Sequence, residues 1–247
     1  MTVRLRSVGI GMTIAAGLMQ SCEPACAPAP PTAVCAPPAG VPDSARQVVV
    51  VTASGITADV DLLVRDGAGW QCAAMDMPGR VGKNGVRDLA ARRSGDGTTP
   101  AGVFGLGTMT DTTGRPFQFF GNASPPDGLR GAWHQVQPND CWGATPGTPD
   151  YNVLVSRPAG ACTSPDEYLP NLPTTYSQAA LIDANMGPDR SGDDPSEPPL
   201  AAAIFLHRHT YRNGVAAATS GCVSLNAENL ARVLPQLVPG EAWFVIR

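Results

Sequence analysis

Charge is scarce in this chain. Of its 247 residues only 15% are Asp, Glu, Lys or Arg, and the formal net charge is −4. No basic cluster interrupts the sequence. Binding nucleic acid requires cations that neutralise phosphates, so a nucleic-acid partner is not expected. Aromatic residues are sparse at 6%, and histidine occurs three times. Beyond the N-terminus no apolar run is long enough to cross a bilayer as a helix. No internal repeat is visible. What is abundant is glycine (27), proline (25) and small apolar residues, with 43% hydrophobic overall. That supports one sizeable core in one or at most two domains, β-rich and full of turns.

The first 21 residues have the pattern of an export signal. Arg4 and Arg6 give a basic start, and Val8 to Met19 is apolar but too short to span a membrane comfortably. Removing residues 1–21 takes the net charge to −6. Leu18-Met19-Gln20-Ser21-Cys22 resembles a bacterial lipoprotein cleavage box, although Met19 and Gln20 are unusual inside it. The resemblance implies a lipid anchor at Cys22; ordinary secretion and a retained anchor remain alternatives. Residues 22–45 are rich in Pro and Ala and predict a semi-stiff tether. The expected location is the cell envelope, at the outer face of the cytoplasmic membrane if Cys22 is acylated.

Seven cysteines in an exported chain predict disulfides. Cys141 and Cys162 flank a Pro/Gly-rich segment and are the favoured pair. Cys72 has Cys26 or Cys35 as partner.

The folded part is expected over residues 46–247. Val48 to Val51 is a β-branched run that predicts a buried strand. Further strands are expected at Asp59–Arg65, Tyr151–Val155, Ala179–Asp183, Ala201–Leu206 and Glu241–Ile246. Gly95-Asp96-Gly97 reads as a turn, and 121–150 as mostly loop. One helix is clear. Asn226 is its N-cap, Leu230, Val233, Leu234 and Leu237 form its apolar stripe, and Pro235 ends or kinks it near Leu234.

The chemistry concentrates near the C-terminus. Ile204-Phe205-Leu206 leads to His207, and Thr219-Ser220-Gly221-Cys222-Val223 follows a short polar loop. A glycine lets backbone approach a carbonyl closely, and successive N–H groups at a turn can face an oxyanion. A histidine within reach can take the thiol proton and leave the reactive thiolate.

These two segments resemble the catalytic domain of the L,D-transpeptidase family, in which an apolar strand ends in His and a Ser/Thr-x-Gly-Cys motif follows. Thr99-Pro100-Ala101-Gly102-Val103-Phe104 is similar to a second motif of the family. Gly95-Asp96-Gly97 before it, Asp150-Tyr151-Asn152 and Ile182-Asp183-Ala184-Asn185 resemble a bacterial branch of the family. The resemblance implies a mostly β, sandwich-like domain with few short helices. It implies acyl transfer on peptidoglycan stem peptides through a Cys222 thioester, with neither metal nor organic cofactor. Cys222, His207, Gly221 and Ser220 are then the catalytic candidates, and His209, Thr219 and Ser224 the substrate-binding ones. The sequence departs from the family at Ser220, where many members have His, and at Ser224, where many have Arg or Asn.

Plainer readings stand beside these. Cys222 could be half of a disulfide, and His207 a hydrogen-bonded core residue. His209 lies two residues on, so both histidines could serve a zinc-dependent wall hydrolase. A catalytically inactive wall-binding module is a third alternative. His134 beside Trp133 is expected at the surface or in a stacking role. Asp96 is expected to be a turn residue, and Tyr151, Asn152 and Asp183 core or turn groups.

Overall fold

The computed structural model describes residues 35–247. The expected signal segment, Cys22 and Cys26 therefore lie outside the described residues. The domain is built on one sheet of eleven strands. In spatial order these are Val86–Asp88, Thr99–Gly105, Ala242–Ile246, Gln47–Ser54, Thr57–Asp66 and Gly69–Arg80, then Val223–Leu225, Phe205–Arg208, Ala179–Leu181, Phe119–Gly121 and Trp133–Gln135. The fold is mostly β, in agreement with the sandwich-like class expected.

The valine run behaves as its composition predicts. Gln47–Ser54 pairs parallel with the C-terminal strand and antiparallel with Thr57–Asp66. Alternation sends Val49 and Val51 into the main core and Val48 and Val50 to the opposite face. That second face is covered in part by Cys35, Val41 and Ala45. Residues 35–45, the end of the stretch read as a tether, thus lie against the domain, and a Cys35–Cys72 disulfide pins them. A strand with two covered faces needs apolar residues at every position, which is why the run is unbroken.

Some strands differ from the sequence reading. Gly69–Arg80 forms a long hairpin with Thr57–Asp66, yet its pattern is broken by Pro78 and by a register shift near Leu62. A bulge spoils the period-two signal. The expected strand at Ala201 begins only at Phe205, because Ala203 sits at φ +54°. Tyr151 lies before the strand Leu154–Ser156, since Asn152 is also left-handed, at φ +55°.

Among the described residues there is one α-helix, Ala227–Val233. The Asn226 side chain accepts from the Asn229 amide at 2.8 Å, and a 3₁₀ turn carrying Pro235 follows the helix. Leu230, Val233, Leu234 and Leu237 pack into the main core. The Cys141–Cys162 disulfide forms as favoured.

Candidate active site

Phe205–Arg208 runs parallel to Val223–Leu225, with His207 opposite Ser224. Alternation along the first strand buries Leu206 in the main core and turns Phe205 to the other side, where it packs with Cys222. His207 follows Phe205 by two residues and shares that side. There it lines, together with Cys222, a cavity of about 510 Å³. A second cavity of about 360 Å³ also reaches Cys222. The sulfur sits where the two meet.

Cys222 is buried and is the free cysteine among the described residues, so it is not half of a disulfide. Its thiol donates to the Ala203 carbonyl at 3.1 Å, and the Phe205 amide donates to the sulfur at 3.4 Å. The Tyr176 hydroxyl lies near the thiol and lines the same cavity. Burial pushes the thiol pKa well above its usual range, and the nearby Glu167 charge adds to the effect; Arg92 opposes it. The resting group is therefore a protonated thiol.

His207 points its Nδ1 at the Arg208 carbonyl, 2.7 Å away. A carbonyl only accepts, so Nδ1 carries the proton and Nε2 keeps its lone pair. Burial drives the imidazole pKa down to about 4, which keeps it neutral. The Tyr176 ring meets it edge-on at 5.4 Å between centroids.

The turn carrying Cys222 is held from several sides. Thr219 Oγ1 donates to the Cys222 carbonyl at 2.6 Å and accepts the Gly221 amide at 3.1 Å. Thr99 donates to the same carbonyl at 3.2 Å and accepts from the Gly82 amide at 2.8 Å. Gly221 has little room: a Cβ there would lie 3.2 Å from both Ile204 and the Thr98 carbonyl. Ser220 is exposed and lines both cavities.

The remaining sequence candidates divide. His209 and Ser224 are buried and joined to each other at 2.9 Å. Ser224, the register partner of His207, faces the same side of the sheet, but neither His209 nor Ser224 lines either cavity. Among the described residues no group of three His, Cys, Asp or Glu side chains is arranged to hold a metal ion. Asp96 is a turn residue, accepting from the Thr98 amide and hydroxyl and from the Arg93 amide. His134 stacks on Phe117, but it is buried, with Asp140 at 2.6 Å.

Sequence reasoning missed Arg92, Glu167 and Tyr176 at this site and read Asn152 only as a core or turn group. Arg92 is buried and holds the Thr98 and Leu200 carbonyls; its neighbour Arg93 is exposed, and nothing in the pair Arg92-Arg93 says which turns inward. Asn152 accepts from the Trp142 indole and the Ala203 amide, both at 3.0 Å. Glu167 and Tyr176 are joined by a hydrogen bond beside the thiol. Glu167 opens a two-residue strand, too short for a periodicity to mark it.

The fold and cleft define a β-domain protein with one reduced cysteine set beside a neutral histidine. The model of the L,D-transpeptidase catalytic domain (YkuD) matches residues 48–246, and the chain belongs to that family. No curated protein matches it. Among solved structures, Bd1075 of Bdellovibrio bacteriovorus is similar at 14% identity, with a TM-score of 0.38, over 82% of this chain and 48% of that one. The chain thus spans about half the length of that protein.

Proposed function

We infer that this protein is an exported cysteine acyltransferase acting on peptidoglycan stem peptides. One observation carries the reading: Cys222 is reduced and sits at the junction of two cavities beside a histidine with a free Nε2. Family membership supports peptidoglycan as the substrate class. Two disulfides support an oxidising compartment outside the cytosol. A lipid anchor at Cys22 holds the domain at the membrane surface in this reading.

The chemistry runs in two halves. The thiol turns from the Ala203 carbonyl and gives its proton to His207 Nε2. The thiolate attacks the stem-peptide carbonyl before a terminal D-Ala. The backbone N–H of Cys222 faces the oxyanion, with the Ser220 hydroxyl beside it; the Gly221 N–H joins them only by leaving Thr219. The C–N bond breaks, the amine takes a proton from His207, and a thioester remains. A second stem's amine then attacks the thioester and makes a crosslink; water in its place gives carboxypeptidase activity.

Intact-mass spectrometry after incubation with a carbapenem tests the reading. A single adduct that maps to Cys222 and is absent from Cys222→Ala is expected. An adduct that persists in Cys222→Ala overturns it.

A further inference from the structure

Two carboxylates border both cavities where they meet at Cys222: Asp166 and Glu167. They are held very differently. Asp166 accepts from the Ala144 and Thr145 amides and the Thr145 hydroxyl, and it pairs with Arg157. Its acceptor capacity is used. Glu167 has a single side-chain partner among the described residues, the Tyr176 hydroxyl. That hydroxyl also lies near the Cys222 sulfur, and all three residues line one cavity. Among the described residues no cation pairs with Glu167, although it lies beside the reacting atom.

An unneutralised carboxylate is a poor neighbour for a thiolate, because like charges in one buried site repel. It suits the second half-reaction. Once Cys222 is a thioester the sulfur is neutral, and the incoming nucleophile is an amine that arrives as an ammonium. An ammonium cannot attack until it loses a proton.

We propose that Glu167 receives the acyl acceptor: it binds the incoming ammonium, takes one proton from it, and passes that proton through Tyr176 to the departing sulfur. This rests on the acyl-transfer reading above and names the residue that favours amine over water. The step balances. R–NH₃⁺ and Glu167 carboxylate become R–NH₂ and Glu167 carboxylic acid. The nitrogen lone pair forms the C–N bond and the C–S bond breaks. The amine's second proton goes to His207 Nε2 and on to solvent. Glu167 gives its proton to Tyr176 as Tyr176 gives its own to the sulfur, which restores the thiol and the carboxylate. Desolvation raises the Glu167 carboxyl and lowers the His207 imidazole to about 4, so Glu167 is a stronger base than an ordinary carboxylate beside a weakened imidazole.

The test starts from an acetyl-enzyme made with p-nitrophenyl acetate, so it does not depend on the natural donor. Nα-acetyl-lysine supplies an amine that is protonated at pH 7, and hydroxylamine supplies one that is not. In Glu167→Gln, which keeps the volume and a hydrogen bond to Tyr176, aminolysis by Nα-acetyl-lysine is expected to fall about 100-fold. Attack by hydroxylamine is expected to fall far less, so the ratio of the two aminolysis rates carries the test. Tyr176→Phe keeps the ring packed on Phe120 and Phe205, and it should show the same selectivity against the basic amine. An equal loss for both amines, or no loss for either, overturns the proposal. A wild type that transfers acetyl to Nα-acetyl-lysine but ignores stem peptides keeps the role of Glu167 and removes the peptidoglycan reading instead.

Discussion

The Cys222 thiol rests on the carbonyl of Ala203, and Ala203 is held by Asn152, whose side-chain oxygen takes its amide at 3.0 Å. Ala203 pays a left-handed φ of +54° to sit there. A residue 70 positions upstream of the nucleophile candidate, expected from sequence only as a core or turn group, thereby sets where the sulfur points.

Asn152→Ala is expected to strand the Trp142 indole N–H and the Ala203 amide, both buried. Each orphaned donor costs about 1–3 kcal/mol. Denaturant midpoints should fall accordingly. Carbapenem adduct formation should slow as Ala203 drifts, read as the rate of mass gain. A variant with wild-type stability and adduct rate contradicts this account of the left-handed alanine.

Gly82 packs where no side chain fits. A Cβ there would lie 2.3 Å from the Gly97 carbonyl and 2.8 Å from the Thr99 amide. The obstacle is backbone on both sides, so it cannot rotate away. Gly82→Ala is expected to destabilise by about 1–3 kcal/mol through overpacking. It should also loosen the Thr99 contact to the Cys222 carbonyl. Thermal melts and the adduct rate should move together.

The Cys141–Cys162 bridge closes a loop with a sequence separation of 21 residues. Glu167 follows the bridge, in a short strand paired with Trp142. Replacing both cysteines with serine is expected to cost about 3 kcal/mol, chiefly by freeing the unfolded chain. Unfolding midpoints with and without reductant check this: wild type should shift on reduction toward the variant, and the variant should not shift further on account of this bridge.

His207 is buried neutral, with its pKa lowered from an ordinary 6.5 to about 4. Between those values the unfolded chain binds a proton that the folded chain refuses. Stability is therefore fully present above pH 6.5 and is lost as pH falls toward 4. His209 is lowered to about 4 by burial and adds in the same direction. The melting temperature should decline across that window, and His207→Gln should flatten the decline. An unchanged slope in His207→Gln would sink the assignment of this window to His207.

Much of the framework was legible from residues alone. The valine run, the Asn226-capped helix with its Pro235 stop and the Cys141–Cys162 pair rest on local rules: branching, capping, periodicity and loop closure. These act over a few residues, so sequence carries them. The Thr219 to Val223 motif and His207 were legible for another reason. Their order and spacing resemble the L,D-transpeptidase motifs, and that resemblance singled them out.

Tertiary structure alone decided the rest. Only the parallel pairing of Phe205–Arg208 with Val223–Leu225 turns two separate segments into one site. Only folding chooses Arg92 over Arg93 for burial, and Asn152 as the support of Ala203. Only folding sets Glu167 and Tyr176 near the sulfur while directing His209 and Ser224 to each other outside both cavities. Those outcomes depend on which distant groups satisfy one another's hydrogen bonds once water is excluded. No short window of sequence contains both partners, so the choice is made when the sheet closes.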